Sequence, residues 1–168
     1  MVLRRATATD LPAIVALVRR VVPLMNEAGN FQWSVDYPNE SVFQNDINQQ
    51  QLWVAELEGQ VAGVAALTRD QDEEYSQADW DVTEPALVTH RLAVDPSTQG
   101  RGVAAALLQQ AEVLAAEQGL KVLRVDTNSE NVATQRLFPK LGYRFAGEIT
   151  LAFRPGLRFF CYEKQLVG

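Results

Sequence analysis

The sequence predicts an α/β (α+β) domain, a sheet of six to seven strands with helices on both faces. Three observations predict it. Short apolar or alternating runs read as strands, apolar stripes recur at helical spacing, and the element order is β-α-α-β-β-β-α-β-α-β-β, interleaved rather than segregated. The 168 residues suffice for one domain spanning residues 1–168, with a core that needs no disulfide or metal staple.

Each element has a local cause. Residues 2–5 open the chain as a strand. A helix follows from Thr9 or Asp10, either of which caps it by accepting backbone N–H bonds. Leu11, Ile14, Val15, Val18 and Val22 are its apolar stripe, Pro23 is expected to bend or end it, and Gly29 marks a loop. Asn39 caps a second helix with Val42, Phe43 and Ile47 on one face. Residues 52–58 and 61–67 form an antiparallel hairpin turning through Glu58-Gly59-Gln60. A strand over 86–94 stops at the turn cluster Asp95-Pro96-Ser97-Thr98. The helix over 100–118 buries Val103, Leu107, Leu108, Ala111, Leu114 and Ala115 and ends at Gly119. A strand over 122–127, a short helix over 131–141 ended or broken near Pro139, and strands over 143–153 and 158–166 complete the order.

Composition excludes several functions. With 21 Asp+Glu against 15 Lys+Arg, a net charge of −6, the chain lacks the cations that neutralise a phosphate backbone, so no nucleic acid is expected. The single cysteine, Cys161, has no internal partner, and with the single histidine, His90, it leaves too few soft ligands for a zinc site; no metal is expected and a reducing, cytoplasmic location is the default. No run approaches the roughly 20 apolar residues of a membrane span, and the first ten residues lack the order of a signal peptide. No membrane partner is expected. The charge is uneven: residues 69–84 hold seven acids and one base, whereas residues 85–168 hold ten bases and seven acids. By itself the acidic block reads as a solvated loop.

The most chemically specific segment is 87–108, a strand, a proline turn, and Gln99-Gly100-Arg101-Gly102-Val103-Ala104 opening a helix. A helix N-terminus offers unpaired N–H groups and partial positive charge to an anion, and glycines let the backbone approach a bulky diphosphate. No Gly-Lys-Ser/Thr follows, so this is not a P-loop, and the third glycine of a dinucleotide fingerprint is missing. Gln99-x-x-Gly102-x-Ala104 after His90-Arg91-Leu92-Ala93-Val94 resembles the acyl-CoA-binding motif of the GNAT N-acetyltransferase superfamily. Residues 131–143 resemble that family's Asn-x(6)-Tyr-x-x-x-Gly-Phe segment. The specific motifs lie between residues 86 and 148, and the element order agrees over nearly the whole chain.

The resemblance implies a mostly antiparallel, twisted sheet, splayed at the acyl-CoA site, and acetyl-CoA (coenzyme A) as cosubstrate. It implies direct attack of a bound primary amine, in a small molecule or a peptide, on the thioester in a ternary complex. Leu92, Ala93 and Val94 would bind the pantetheine arm through their backbone, with the Val94 N–H a donor to the thioester oxygen as it gains charge. Gln99, Gly100, Arg101, Gly102, Val103 and Ala104 would hold the pyrophosphate. Asn131 either bonds the pantetheine or caps its helix; Lys140 and Arg136 either approach the CoA phosphates or are surface charges. Phe138, also counted among the CoA contacts, stands where many members carry a tyrosine that protonates the departing thiolate. A thiol with a pKa of about 8.5 leaves tolerably without that proton. The amine must lose a proton before it attacks. His90 is the candidate base, placed on one face with Val88 and Leu92 by strand parity, against the alternative of a histidine bonded within the sheet. Glu84 and Asp126 are the carboxylate alternatives.

Trp33, Tyr37, Tyr75, Trp80, Thr127 and Asn128 are candidates to line the acceptor site, or else core and turn residues. Lying near where the acceptor should enter, the acidic block points to a cationic amine or a basic peptide N-terminus. A second copy of the chain, as a homodimer, is a further candidate partner. The alternative from another class is a noncatalytic acyl-CoA-binding sensor or regulatory module.

Overall fold

Four helices and seven strands follow one another as the sequence predicts in a computed structural model, which describes residues 1–166. They are β1 (Val2–Arg5), α1 (Leu11–Glu27), α2 (Glu40–Asn48), β2 (Leu52–Leu57), β3 (Gln60–Thr68), β4 (Leu87–Val94), α3 (Val103–Glu117), β5 (Val122–Asn128), α4 (Val132–Lys140), β6 (Arg144–Ile149) and β7 (Phe159–Gln165). The strands form a mixed sheet in the order β1-β2-β3-β4-β5-β7-β6, and β4 with β5 is its parallel pair. Among the described residues no helix is long and apolar enough to cross a membrane. The chain divides into two compact units, Met1–Leu67 with His90–Gln110, and Thr68–Thr89 with Ala111–Gly168.

In the first unit β2 pairs antiparallel with both β1 and β3. The β2–β3 turn places Glu58 and Gly59 at φ +53° and +77°, a two-residue turn whose twist matches that of the flanking strands. Its core gathers Leu11, Ile14, Leu17, Val18 and Val22 of α1, Phe43 of α2, and Val54, Val64 and Ala93 of the strands. Leu17, absent from the expected stripe, is fully buried, and Val15 is only partly so. Two expectations about α1 are corrected. Asp10 does not cap it by its side chain: a short 3₁₀ turn (Ala8–Asp10) precedes the helix, and the carboxylate accepts from the Thr7 N–H at 2.7 Å and from Arg4 at 2.8 Å. Nor does the exposed Pro23 end the helix. One further turn follows, closed by Gly29 at φ +88° with its N–H on the Asn26 carbonyl and the Asn30 N–H on that of Met25. Asn39 caps α2 as expected, accepting from the Val42 N–H at 3.1 Å.

In the second unit β5 pairs antiparallel with β7, and β7 with β6. Its core joins Tyr75, Val88, Ala146, Ile149, Leu151, Phe159 and Cys161. The strand expected over 143–153 is shorter, because residues 150–157 carry Pro155 and Gly156 and form turns. The helix expected to break or end near Pro139 does end there, α4 stopping one residue later at Lys140.

The acidic block is not simply a solvated loop. Arg124, alone among apolar neighbours on β5, is completely buried, and its Nε donates to Glu163 Oε2 at 2.9 Å from the facing β7 position. Its other nitrogens donate to the Gln71 side chain (2.6 Å) and to the backbone carbonyls of Asp81 (2.6 Å) and Glu84 (3.3 Å). The Trp80 ring lies 5.1 Å from the guanidinium carbon. One buried cation thus organises the segment in which negative charge is densest.

Two outcomes follow from these contacts. Arg124→Ala removes the buried cation from Glu163 Oε2 and leaves Arg144, at 3.0 Å, on the other oxygen; it should cost about 3 kcal/mol, lowering Tm by about 10 °C in thermal unfolding. The Asp10 carboxyl is held down to about 2, first by hydrogen bonding from Arg4, against the opposing effect of burial. A depressed carboxyl stabilises the fold above its unfolded pKa, and that contribution is lost as pH falls from about 4 towards 2. Asp10→Asn should therefore be less stable than the parent in urea at pH 7 and indistinguishable from it at pH 2.

Candidate active site

The β4–β5 ladder runs over three pairs, Leu87 with Leu123, Val88 with Arg124 and Thr89 with Val125. Two residues later Arg91 takes φ +52°, a left-handed backbone that costs an arginine of order 1 kcal/mol within a strand. Such a residue breaks side-chain alternation. The parity argument that placed His90 with Leu92 therefore fails: both lie half-buried on either side of the bulge, while Ala93 enters the first unit's core. Val94 is half-buried, and the next amide, that of Asp95, donates to the Ala62 carbonyl at 2.8 Å.

Asp95 then builds the turn. Its Oδ1 accepts from the Ser97 N–H at 3.0 Å and its Oδ2 from Arg20 at 2.7 Å. Burial works to raise this carboxyl, but the Ser97 amide and Arg20 prevail and hold it below its usual range. Gly100 and Gly102 follow at φ +81° and +77°, and a Cβ added at either would meet no protein atom within 4 Å. Backbone conformation, not packing, requires glycine there, and the outer face of the loop stays clear of protein. The helix begins at Val103, three residues later than expected. Its first internal bond is from the Ala106 N–H to the Gly102 carbonyl at 3.0 Å, so the amides of Val103, Ala104 and Ala105 precede the ladder. The Val103 side chain is buried, with its Cγ1 only 2.5 Å from where a Cβ on Gly63 would stand, which leaves its backbone alone to meet a ligand. Gln99 is exposed, and Arg101, half-exposed, approaches Glu58 at 3.5 Å. These residues fit a diphosphate, having amides and a cation on an open face.

In the second unit Tyr75 is buried and donates its hydroxyl to Asp126 Oδ1 at 2.5 Å. Burial and then the Asp126 charge push the phenol's pKa well up, so it remains a donor. Trp80 packs 4.9 Å from the Tyr75 ring and donates its indole N–H to the Tyr75 carbonyl at 2.6 Å. Glu84 is half-buried in the turn before β4. Thr127 shares a hydroxyl bond of 2.6 Å with Thr134, and the buried Asn128 accepts from the Glu130 N–H at 2.9 Å, the turn role rather than a lining role. Asn131 spends its side-chain oxygen capping α4, on the Thr134 N–H at 3.2 Å. Phe138 is fully buried, its ring 5.2 Å from Tyr162 and 5.8 Å from Tyr143, and so is a packing residue rather than a ligand contact. Lys140 is exposed at the end of α4. In the first unit Trp33 belongs to the core, whereas Tyr37 is half-buried and packs against it.

Three residues that organise these sites were not singled out from sequence: Asp46, Arg124 and Glu163. A charged residue inside an apolar strand was the available signal for Arg124. Asp46 carried none, because on a short helix it reads as solvent-facing.

Comparison with known proteins agrees with this geometry. The profile of the acetyltransferase (GNAT) family matches residues 18–143. A crystal structure of a GNAT-family acetyltransferase from Streptococcus agalactiae superposes with a TM-score of 0.87 at 28% identity, covering 99% of this chain and 96% of that one. An uncharacterized N-acetyltransferase, YesJ, of Bacillus subtilis is 25% identical over 84% of this chain and 81% of its own length. N-acetylaspartate synthetase of Danio rerio is 28% identical over 63% of this chain, a match spanning only 34% of that protein. The chain belongs to the acetyltransferase (GNAT) family.

Proposed function

We propose that the chain, acting as one catalytic domain, transfers an acetyl group from acetyl-CoA to a primary amine by direct attack in a ternary complex. The observation that carries this reading is the end of the β4–β5 ladder at Thr89 followed by the left-handed Arg91. Residues 92–94 lie beyond that ladder, and their backbone groups serve the pantetheine arm. The Val94 N–H meets the thioester oxygen as it becomes negative. The loop 99–102 and the first amides of α3 hold the pyrophosphate, assisted by Arg101, and Lys140 is retained for the outer phosphates.

His90 takes the amine's proton. Asp126 is the weaker candidate, because its Oδ1 already accepts from the buried Tyr75 phenol. The amine nitrogen forms its bond to the carbonyl carbon, the intermediate collapses, and CoA departs as thiolate. Cys161 takes no part, since its thiol is buried and pushed up by desolvation and by the charge of Asp126. The acceptor is a small cationic amine or a peptide N-terminus, drawn by the acidic segment at 70–84.

Free thiol release across a panel of amines tests the reaction. A protein that binds CoA tightly and never releases thiol is the noncatalytic acyl-CoA sensor instead. His90→Ala should lower kcat at least about a hundredfold, with CoA affinity within about twofold of the parent; equal loss of both, together with lost stability, assigns His90 a structural role. The triple change Asp72→Asn, Glu73→Gln, Glu74→Gln should raise KM for a cationic amine severalfold at low ionic strength. That difference should close near 0.5 M salt, where charges are screened over about 4 Å.

A further inference from the structure

We propose that Arg91 and Asp46 form a clamp that positions the strand meeting acyl-CoA. The proposal rests on the reading of residues 92–94 as the pantetheine strand. Asp46, near the end of α2, has a side chain only 1% exposed, and a carboxylate so buried needs partners. It accepts from Arg91 Nε at 2.6 Å through Oδ2 and from Arg91 Nη2 at 2.7 Å through Oδ1, a planar two-point fork. Gln51 Nε2 adds a third bond at 2.9 Å, and the Gln51 N–H returns to the Asp46 carbonyl at 3.1 Å.

The fork grips the one β4 residue whose backbone is left-handed. A bulge at a non-glycine residue persists only where surrounding contacts over-determine it, and here a doubly bonded ion pair does so. Four residues on, the strand is held again, by the Asp95 N–H on Ala62 and the Asp95 carboxylate on Arg20. Between the two holds Ala93 is buried, its carbonyl 3.3 Å from where a Cβ on Gly63 would stand. Residues 92–94 are therefore stretched between two ion pairs, and their amides are aimed without help from β5. Neither Arg91 nor Asp46 needs to touch the cosubstrate to fix its alignment.

Two variants of the full chain test the clamp: Asp46→Asn, and Arg91→Gly, in which glycine takes the left-handed backbone without strain. Amide hydrogen exchange at residues 92–94 should rise about tenfold in each while β1 and β2 amides hold their rates. KM for acetyl-CoA should rise about tenfold with kcat within about twofold, since misalignment weakens binding before it alters the proton transfer. Unchanged exchange at 92–94 in either folded variant overturns the clamp, whether or not the parent transfers acetyl groups. Faster exchange in a chain whose parent binds no acetyl-CoA upholds the clamp and overturns its ligand. Should both variants fail to fold, Arg91→Lys, which keeps the charge but not the fork, decides by the same two measurements.

Discussion

The site depends on one backbone constraint, the left-handed conformation of Arg91 in the middle of β4. A strand flanked on both sides normally spends its N–H and C=O groups on its neighbours. Here the ladder to β5 stops after three pairs, and the residues beyond the bulge belong to the other of the two units. In the function proposed above, the backbone beyond the bulge is where an extended amide-bearing molecule such as pantetheine would bind. The glycine turn that follows repeats the principle with helix amides in place of strand amides, suited to an anion rather than to an amide chain.

A second organising charge stands in the other unit. Arg124 is buried without exposure and converts the loop at 71–84 into a packed segment by bonding to Gln71, Asp81 and Glu84 and lying against Trp80. Tyr75 and Trp80, attractive as substrate-lining aromatics, are thereby fixed in structure: one donates its hydroxyl to Asp126, and the other faces a cation already present. The block serves the arginine through the backbone carbonyls of Asp81 and Glu84 and the side chain of Gln71.

The fold was legible in the sequence because its signals are local. Apolar periodicity located the strands and helices, and Asn39 and Asn131 were readable as caps from residue type. Pro23 misled, since about one more helical turn follows it, whereas α4 does end one residue after Pro139, as the sequence suggests. The glycine turn was legible for the same local reason. Long-range pairs were not: the partner of Asp46 lies 45 residues away and that of Arg124 lies 39 away. Nor was the Arg91 bulge, because an arginine carries no mark of left-handed backbone, and with it went the parity argument for His90. Phe138 shows the converse, a motif position whose side chain is enclosed by Tyr143 and Tyr162.

The burial of Cys161 bears on how the chemistry can be followed. It is the protein's single cysteine, and its thiol lies in the second unit's core with its ionisation suppressed. Thiol-disulfide reagents react through the thiolate, so the native chain is nearly silent towards them. Coenzyme A liberated by the proposed transfer would be titrated continuously against almost no protein background. The same reagent, added without substrates, becomes an opening sensor, because Cys161 gains reactivity only when the β6–β7 core comes apart.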